Sequence, residues 1–249
     1  MKTLTLLATL LLSFAYVHAN DFDAGRPGHG IQIVQNDSIQ MYSEVLKITP
    51  DLVDVTYVYK NLTDEERTIR IGFPIGHTAH DLETHINDVK VEWKVERYED
   101  THVYLREQVF KPREVVQVHH RYTPYNGSGI YGVLPSRGSR RSHPHSDACS
   151  SFTDEELLQQ RDRPGEKTEH LEYILTTGAN WAGPIKKFRL EIGPSSRWPT
   201  EVYGLLHCFE GLESTSDNRY VAEIDDFVPR HNLYLIFYHT PEWWPADDY

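Results

Sequence analysis

The chain has 249 residues, with 25 Lys and Arg against 37 Asp and Glu, a formal net charge of −12, and 39% hydrophobic and 12% aromatic residues. That length and apolar content support a packed core and exclude a disordered chain. The acidic balance argues against nucleic acid or an anionic lipid surface as a partner, and two cysteines are too few for a thiolate metal cluster or a disulfide-dense scaffold.

Residues 1–19 read as an export signal peptide. Lys2 supplies the positive end and Leu4 to Ala15 the short apolar run. Val17-His18-Ala19 places small residues where a signal peptidase reads, so cleavage is expected after Ala19. No later stretch approaches the roughly 20 apolar residues of a transmembrane helix. The expectation is a mature chain without a membrane span, periplasmic or secreted, with an envelope or extracellular ligand of unknown identity.

From there the hydrophobic period is two. Val53 to Tyr59, Ile69 to Phe73, Val89 to Val95, Val116 to Val118, Phe188 to Ile192 and Tyr220 to Ile224 all alternate apolar and polar residues. Such alternation marks strands with one face in a core and one in water. Leu233 to Tyr238 is continuously apolar, the pattern of a strand covered on both faces. Asn61 to Glu66 and Tyr98 to Thr101 read as hairpin loops, and Tyr173–Thr177 and Lys186–Ile192 as two further strands. The pattern breaks between Pro124 and Lys167. There, Pro124 to Gly129 is turn chemistry, and Gly138 to His145 lacks periodicity. Thr153 and Glu156 form a capping box, with Phe152 and Leu157 as its hydrophobic staple. This predicts one short helix ending before Pro164-Gly165. The expected fold is mainly β and sandwich-like: two antiparallel β-units, 20–124 and 168–249, with an irregular segment, 125–167, carrying the helix between them. One interlocked sandwich and two separate units both remain open.

In an exported chain, two cysteines default to a disulfide. A Cys149–Cys208 bridge would tie the irregular segment to the second β-unit, worth roughly 4 kcal/mol in the chain-entropy model. A catalytic thiolate paired with His207 is the competing reading, but neighbouring strand residues point to opposite faces.

Candidate chemistry is sparse. His77, His80 and His85, with Asp81 and Glu83 between them, offer imidazole and carboxylate ligands suited to zinc and similar ions. Their spacing matches no strong metal signature, and a polar loop is the competing reading. His143 and His145 sit in a basic, Pro-containing stretch. His119-His120 lies on a strand and faces two ways, so one ring is open to cross-strand packing. There is no nucleophile elbow, no phosphate-cradling loop and no dinucleotide fingerprint. No cofactor is expected beyond that candidate metal. Trp181, within Gly178-Ala179-Asn180-Trp181-Ala182-Gly183-Pro184, and the pair Trp243-Trp244 are candidate aromatic binding surfaces; each could instead plug the end of the core.

Tyr173 to Ile185, followed by Phe188-Arg189-Leu190, resembles the signature of an exported bacterial family known as domain of unknown function 4424. Other segments fit in order: Asn36-Asp37-Ser38-Ile39 with Met41 and Glu44, Phe73-Pro74, His120-Arg121-Tyr122-Thr123-Pro124, and the positions of Cys149 and Cys208. The likeness spans about residues 30 to 238. It implies a bacterial, extracytoplasmic, β-rich protein and supplies no catalytic residues. Bacterial origin would make the sequons at Asn61 and Asn126 incidental. The favoured functional expectation is a binding or structural module. The alternative is an extracytoplasmic hydrolase, metal-assisted through His77, His80 and His85.

Overall fold

The computed structural model describes residues 22–25, 32–75, 81–98, 101–124, 127–130, 167–194, 202–207 and 209–239. Their strands form three sheets. The largest has eight strands in the order β15 (Glu213–Ser214), β16 (Tyr220–Phe227), β13 (Ile185–Ile192), β3 (Ile39–Thr49), β4 (Leu52–Asn61), β10 (Val115–Tyr122), β6 (Glu83–Ile86) and β7 (Val89–Lys90). A five-stranded sheet runs β2 (Gln32–Val34), β1 (Phe22–Gly25), β5 (Arg67–Ile75), β9 (Thr101–Phe110), β8 (Lys94–Tyr98). A four-stranded sheet runs β11 (Gly127–Ile130), β12 (Lys167–Tyr173), β17 (Leu233–His239), β14 (Val202–His207). Every described pairing is antiparallel except β13 with β3.

Alternation explains how the large sheet is built. Residues paired directly across neighbouring strands point to the same face. One such row runs Ile224–Phe188–Glu44–Tyr57–Val118–Ile86, and the next runs Ala222–Leu190–Leu46–Val55–His120–Thr84. Apart from Ile224, which is half-buried, every residue of both rows is buried. A β-bulge between Met41 and Ser43 leaves Tyr42 unpaired and exposed. The extra residue switches the parity of β3, so Met41 and Glu44, three positions apart, both face inward.

Two smaller sheets contribute to the core on this inner face. Phe73 and Phe110 of the five-stranded sheet meet His120 at 4.3 Å and Tyr59 at 6.3 Å between ring centroids. From the four-stranded sheet, the Tyr173 hydroxyl lies 2.7 Å from that of Tyr57, and the His207 ring meets Tyr220. The outer face carries charge instead. Lys187 pairs with Asp225 at 2.8 Å, Arg189 with Glu223, and Asp54 with His119 at 3.1 Å.

The two halves of the chain interlock. β13 and β16, from the second half, extend the sheet that β3, β4 and β10 begin, so the sandwich is one body rather than two. Several local expectations are corrected. Asn61 to Glu66 is not a hairpin: β4 lies in the eight-stranded sheet and β5 in the five-stranded one, so this loop carries the chain between layers. Tyr98 to Thr101 is a hairpin, with those two residues paired. The alternating run Val89 to Val95 is split between β7 in one sheet and β8 in another. The end of the Pro124 to Gly129 stretch, read as turn chemistry, belongs to a strand, Gly127–Ile130, paired with β12. Tyr173–Thr177 leaves its strand at Tyr173 and enters a 3₁₀ turn, Thr176–Asn180. In β17, Leu233, Leu235 and Phe237 are buried while Tyr234 is only half covered. The predicted helix after Thr153 lies outside the described residues.

Candidate functional site

The 3₁₀ turn and the loop after it are pinned on two sides. The Thr176 hydroxyl donates to Asn232 Oδ1 at 2.9 Å, tying the turn to the approach to β17. On the other side, Asn36 N donates to the Asn180 carbonyl at 2.7 Å, and Ala182 N donates to the Ile39 carbonyl at 2.9 Å. Asn36 in turn accepts from the Ser38 and Ile39 amides, fixing the start of β3. Gly183 has φ +71, a left-handed conformation that glycine takes without a Cβ penalty. Trp181 is 1% exposed and packs 4.8 Å from Tyr59. It therefore closes the core, which is the plug reading that stood beside a stacking surface in the sequence.

Above this plug lies a cleft of about 270 Å³, with Gln35, Gly178, Trp181, Pro184, Phe227 and Pro229 among its walls. Among the described residues, no ionisable side chain lines it. The walls are apolar and aromatic, with the Gln35 amide as the polar side chain. The cleft offers apolar contact with a few hydrogen-bonding groups, in a volume just below that of most small-molecule pockets.

The histidines are distributed differently from a metal triad. His85 lies on β6 with its side chain on the outer face, beside Glu83 at 3.7 Å. His77 and His80 lie outside the described residues, as do Cys149, Cys208, Trp243, Trp244 and Ala19. Among the described residues, no group of three or more His, Cys, Asp or Glu side chains is placed to hold a metal ion. His119 and His120 do face opposite ways. His120 is wholly buried, its Nδ1 2.8 Å from the Thr84 hydroxyl, which accepts from the Trp93 indole at 2.7 Å. His119 points outward and stacks on His85.

A perturbed cluster escaped the sequence reading. Burial raises the Glu172 carboxyl above its ordinary range, against hydrogen bonds from Tyr234 and Asn232. The Tyr234 hydroxyl is pushed up to about 12, first by burial and then by Glu172. Glu172 lies 60 positions from Asn232 in sequence and meets it and Tyr234 only because β12 and β17 pair, so no local signal could have found the cluster. Burial likewise lowers the His207 imidazole.

The family model for a domain of unknown function (DUF4424) matches residues 19–91 and 79–236, which together take in the 3₁₀ turn, the glycine-framed loop and most of the strands. The protein is thus an interlocked β-sandwich with a small apolar cleft at one loop, and it belongs to that family. Its fold resembles that of a Legionella pneumophila protein whose description proposes nutrient binding. The two share 16% identity at a TM-score of 0.52, over 89% of this chain and 71% of that one. Looser likenesses are leukotriene A4 hydrolase from Saccharomyces cerevisiae (13% identity, TM-score 0.40, 86% of this chain and 32% of that one) and an M1 zinc metallopeptidase from Deinococcus radiodurans (11% identity, TM-score 0.34, 82% and 43%). Superposition that loose carries no functional argument. No curated protein matches in sequence. Among the described residues, no helix is long and apolar enough to cross a membrane.

Proposed function

We propose that this protein is an exported binding module, periplasmic or secreted, whose cleft takes a small, mainly apolar ligand. The observation that carries this reading is the cleft itself: aromatic and proline walls, glycine backbone, one side-chain amide and, among the described residues, no titratable group. Such a site recognises and does not transfer protons. The description of the Legionella pneumophila protein is consistent with a binding role.

The reading is tested on protein purified without denaturation. Native mass spectrometry is expected to show a small molecule retained on part of the population, and its re-addition is expected to raise the melting temperature. Ala179 lines the cleft and is exposed. Ala179→Trp should therefore fill the cleft without disturbing the core, abolishing both effects while leaving the circular dichroism unchanged. Retention undiminished in that variant would place the ligand elsewhere. Turnover of an envelope polymer by the purified chain would favour the hydrolase alternative.

A further inference from the structure

We propose that the outer face of the eight-stranded sheet carries a surface site for a divalent transition-metal ion, held by the imidazoles of His85 and His119. The inference is independent of the cleft. β6 and β10 pair so that His85 lies directly opposite His119. Both rings leave the sheet on one face, 6.2 Å apart between centroids and 24° from parallel. Two imidazoles on one tetrahedral ion, at Zn–N distances near 2 Å, put their centroids about 5 Å apart. Bringing both rings onto one ion therefore requires them to turn about their side-chain torsions from the near-parallel arrangement they hold here. Each side chain is 31% exposed, so a hydrated ion reaches them.

The surroundings are those of ligands held in place. His119 Nε2 lies 3.1 Å from Asp54 Oδ1, and His85 Nε2 lies 3.7 Å from Glu83 Oε1. His119 thus has a carboxylate within hydrogen-bond reach of Nε2 and His85 has one only at ion-pair distance, and among the described residues Nδ1 of neither ring is engaged in a hydrogen bond. A carboxylate behind a ligating imidazole fixes its orientation and raises its basicity. Both histidines stand on paired strands, so their backbone positions, though not their ring orientations, are set before the ion arrives.

The local charge decides which ion. Lys90 Nζ sits 3.2 Å from Glu83, and Arg121 is paired opposite both Glu83 and Asp54. Two cations offset the two carboxylates, leaving little negative field to attract an ion by charge alone. Binding rests on imidazole coordination, which suits zinc, copper and nickel, and not on the oxygen-rich shell that magnesium and calcium need.

The test is calorimetric titration of the full, untagged chain with zinc, copper(II) and nickel salts, alongside magnesium and calcium. One site of micromolar affinity for the first three, and none for the last two, is expected. His85→Asn and His119→Asn should each weaken it by about a hundredfold, and Asp54→Asn by about tenfold through loss of ring positioning. Because the chain has 14 histidines, an independent reading comes from the unmodified protein. Sub-stoichiometric copper(II) should broaden the NMR resonances of His85 and His119 before those of any other histidine. Affinity unchanged in both Asn variants, broadening first at other histidines, or equal binding of magnesium would each overturn the proposal.

Discussion

Glu172 shows how a single side chain takes its chemistry from neighbours distant in sequence. It stands on β12 opposite Tyr234 of β17, and Asn232 Nδ2 donates to it at 3.2 Å. Burial outweighs these hydrogen bonds and raises its pKa. The folded chain therefore holds this proton more tightly than the unfolded chain does. The favourable contribution is complete below the unfolded value near 4.5 and is lost as pH rises through the higher folded value. Glu172→Gln removes that loss. The stability of the variant relative to the parent should rise between pH 4 and pH 7, measured by urea denaturation at each pH. A flat difference would show that Glu172 titrates as in the unfolded chain, and a falling one that its pKa is lowered. His207 works in the opposite sense: burial lowers its pKa, so its contribution is complete above the unfolded value near 6.5 and is lost as pH falls through the lower folded value.

The connections between strands decide the architecture as much as the strands do. The loop from β4 to β5 and the turn from β9 to β10 both cross between sheets, and they meet at Asn61. This residue is wholly buried. Its Nδ2 donates to the carbonyls of Glu65, Phe110 and Lys111, and its Oδ1 accepts from the Thr63 amide and hydroxyl. Arg113 reinforces the corner by pairing with Asp64 at 2.7 Å. So committed a side chain is closed to glycosylation in the folded chain, despite its sequon. Asn61→Ala would strand several backbone carbonyls and should destabilise the protein by about 3 kcal/mol, read as a shift in the urea midpoint with unchanged slope. A loss below about 1 kcal/mol would mean that Arg113 and the backbone hold the corner unaided.

At the scale of the whole molecule, the decisive contact is the parallel pairing of β13 with β3. It places a strand from beyond residue 180 against one that begins at Ile39. Without it, the edge of β3 that faces β13 lies bare. Exposed strand edges of that length recruit other chains. Residues 20–124 expressed alone should therefore aggregate or elute as oligomers in size-exclusion chromatography. Co-expression with 125–249 should restore a soluble complex. A monomeric, cooperatively unfolding 20–124 would show that the halves are independent domains.

The sequence by itself determined the strands and their faces. Successive strand side chains point to opposite sides, so Val53 to Tyr59 or Phe188 to Ile192 announces its buried face in its own residues. It also marked Gly178 to Pro184 as a distinctive loop and divided His119 from His120, because both follow from local geometry. Which strand pairs with which was left to the tertiary structure, since every strand offers the same backbone donors and acceptors. The split of Val89 to Val95 between two sheets, the layer crossing at Asn61, the inward turn of Trp181, and the meetings of Glu172 with Tyr234 and His85 with His119 all depend on that choice. Packing of the whole apolar surface makes it, and no local pattern encodes it.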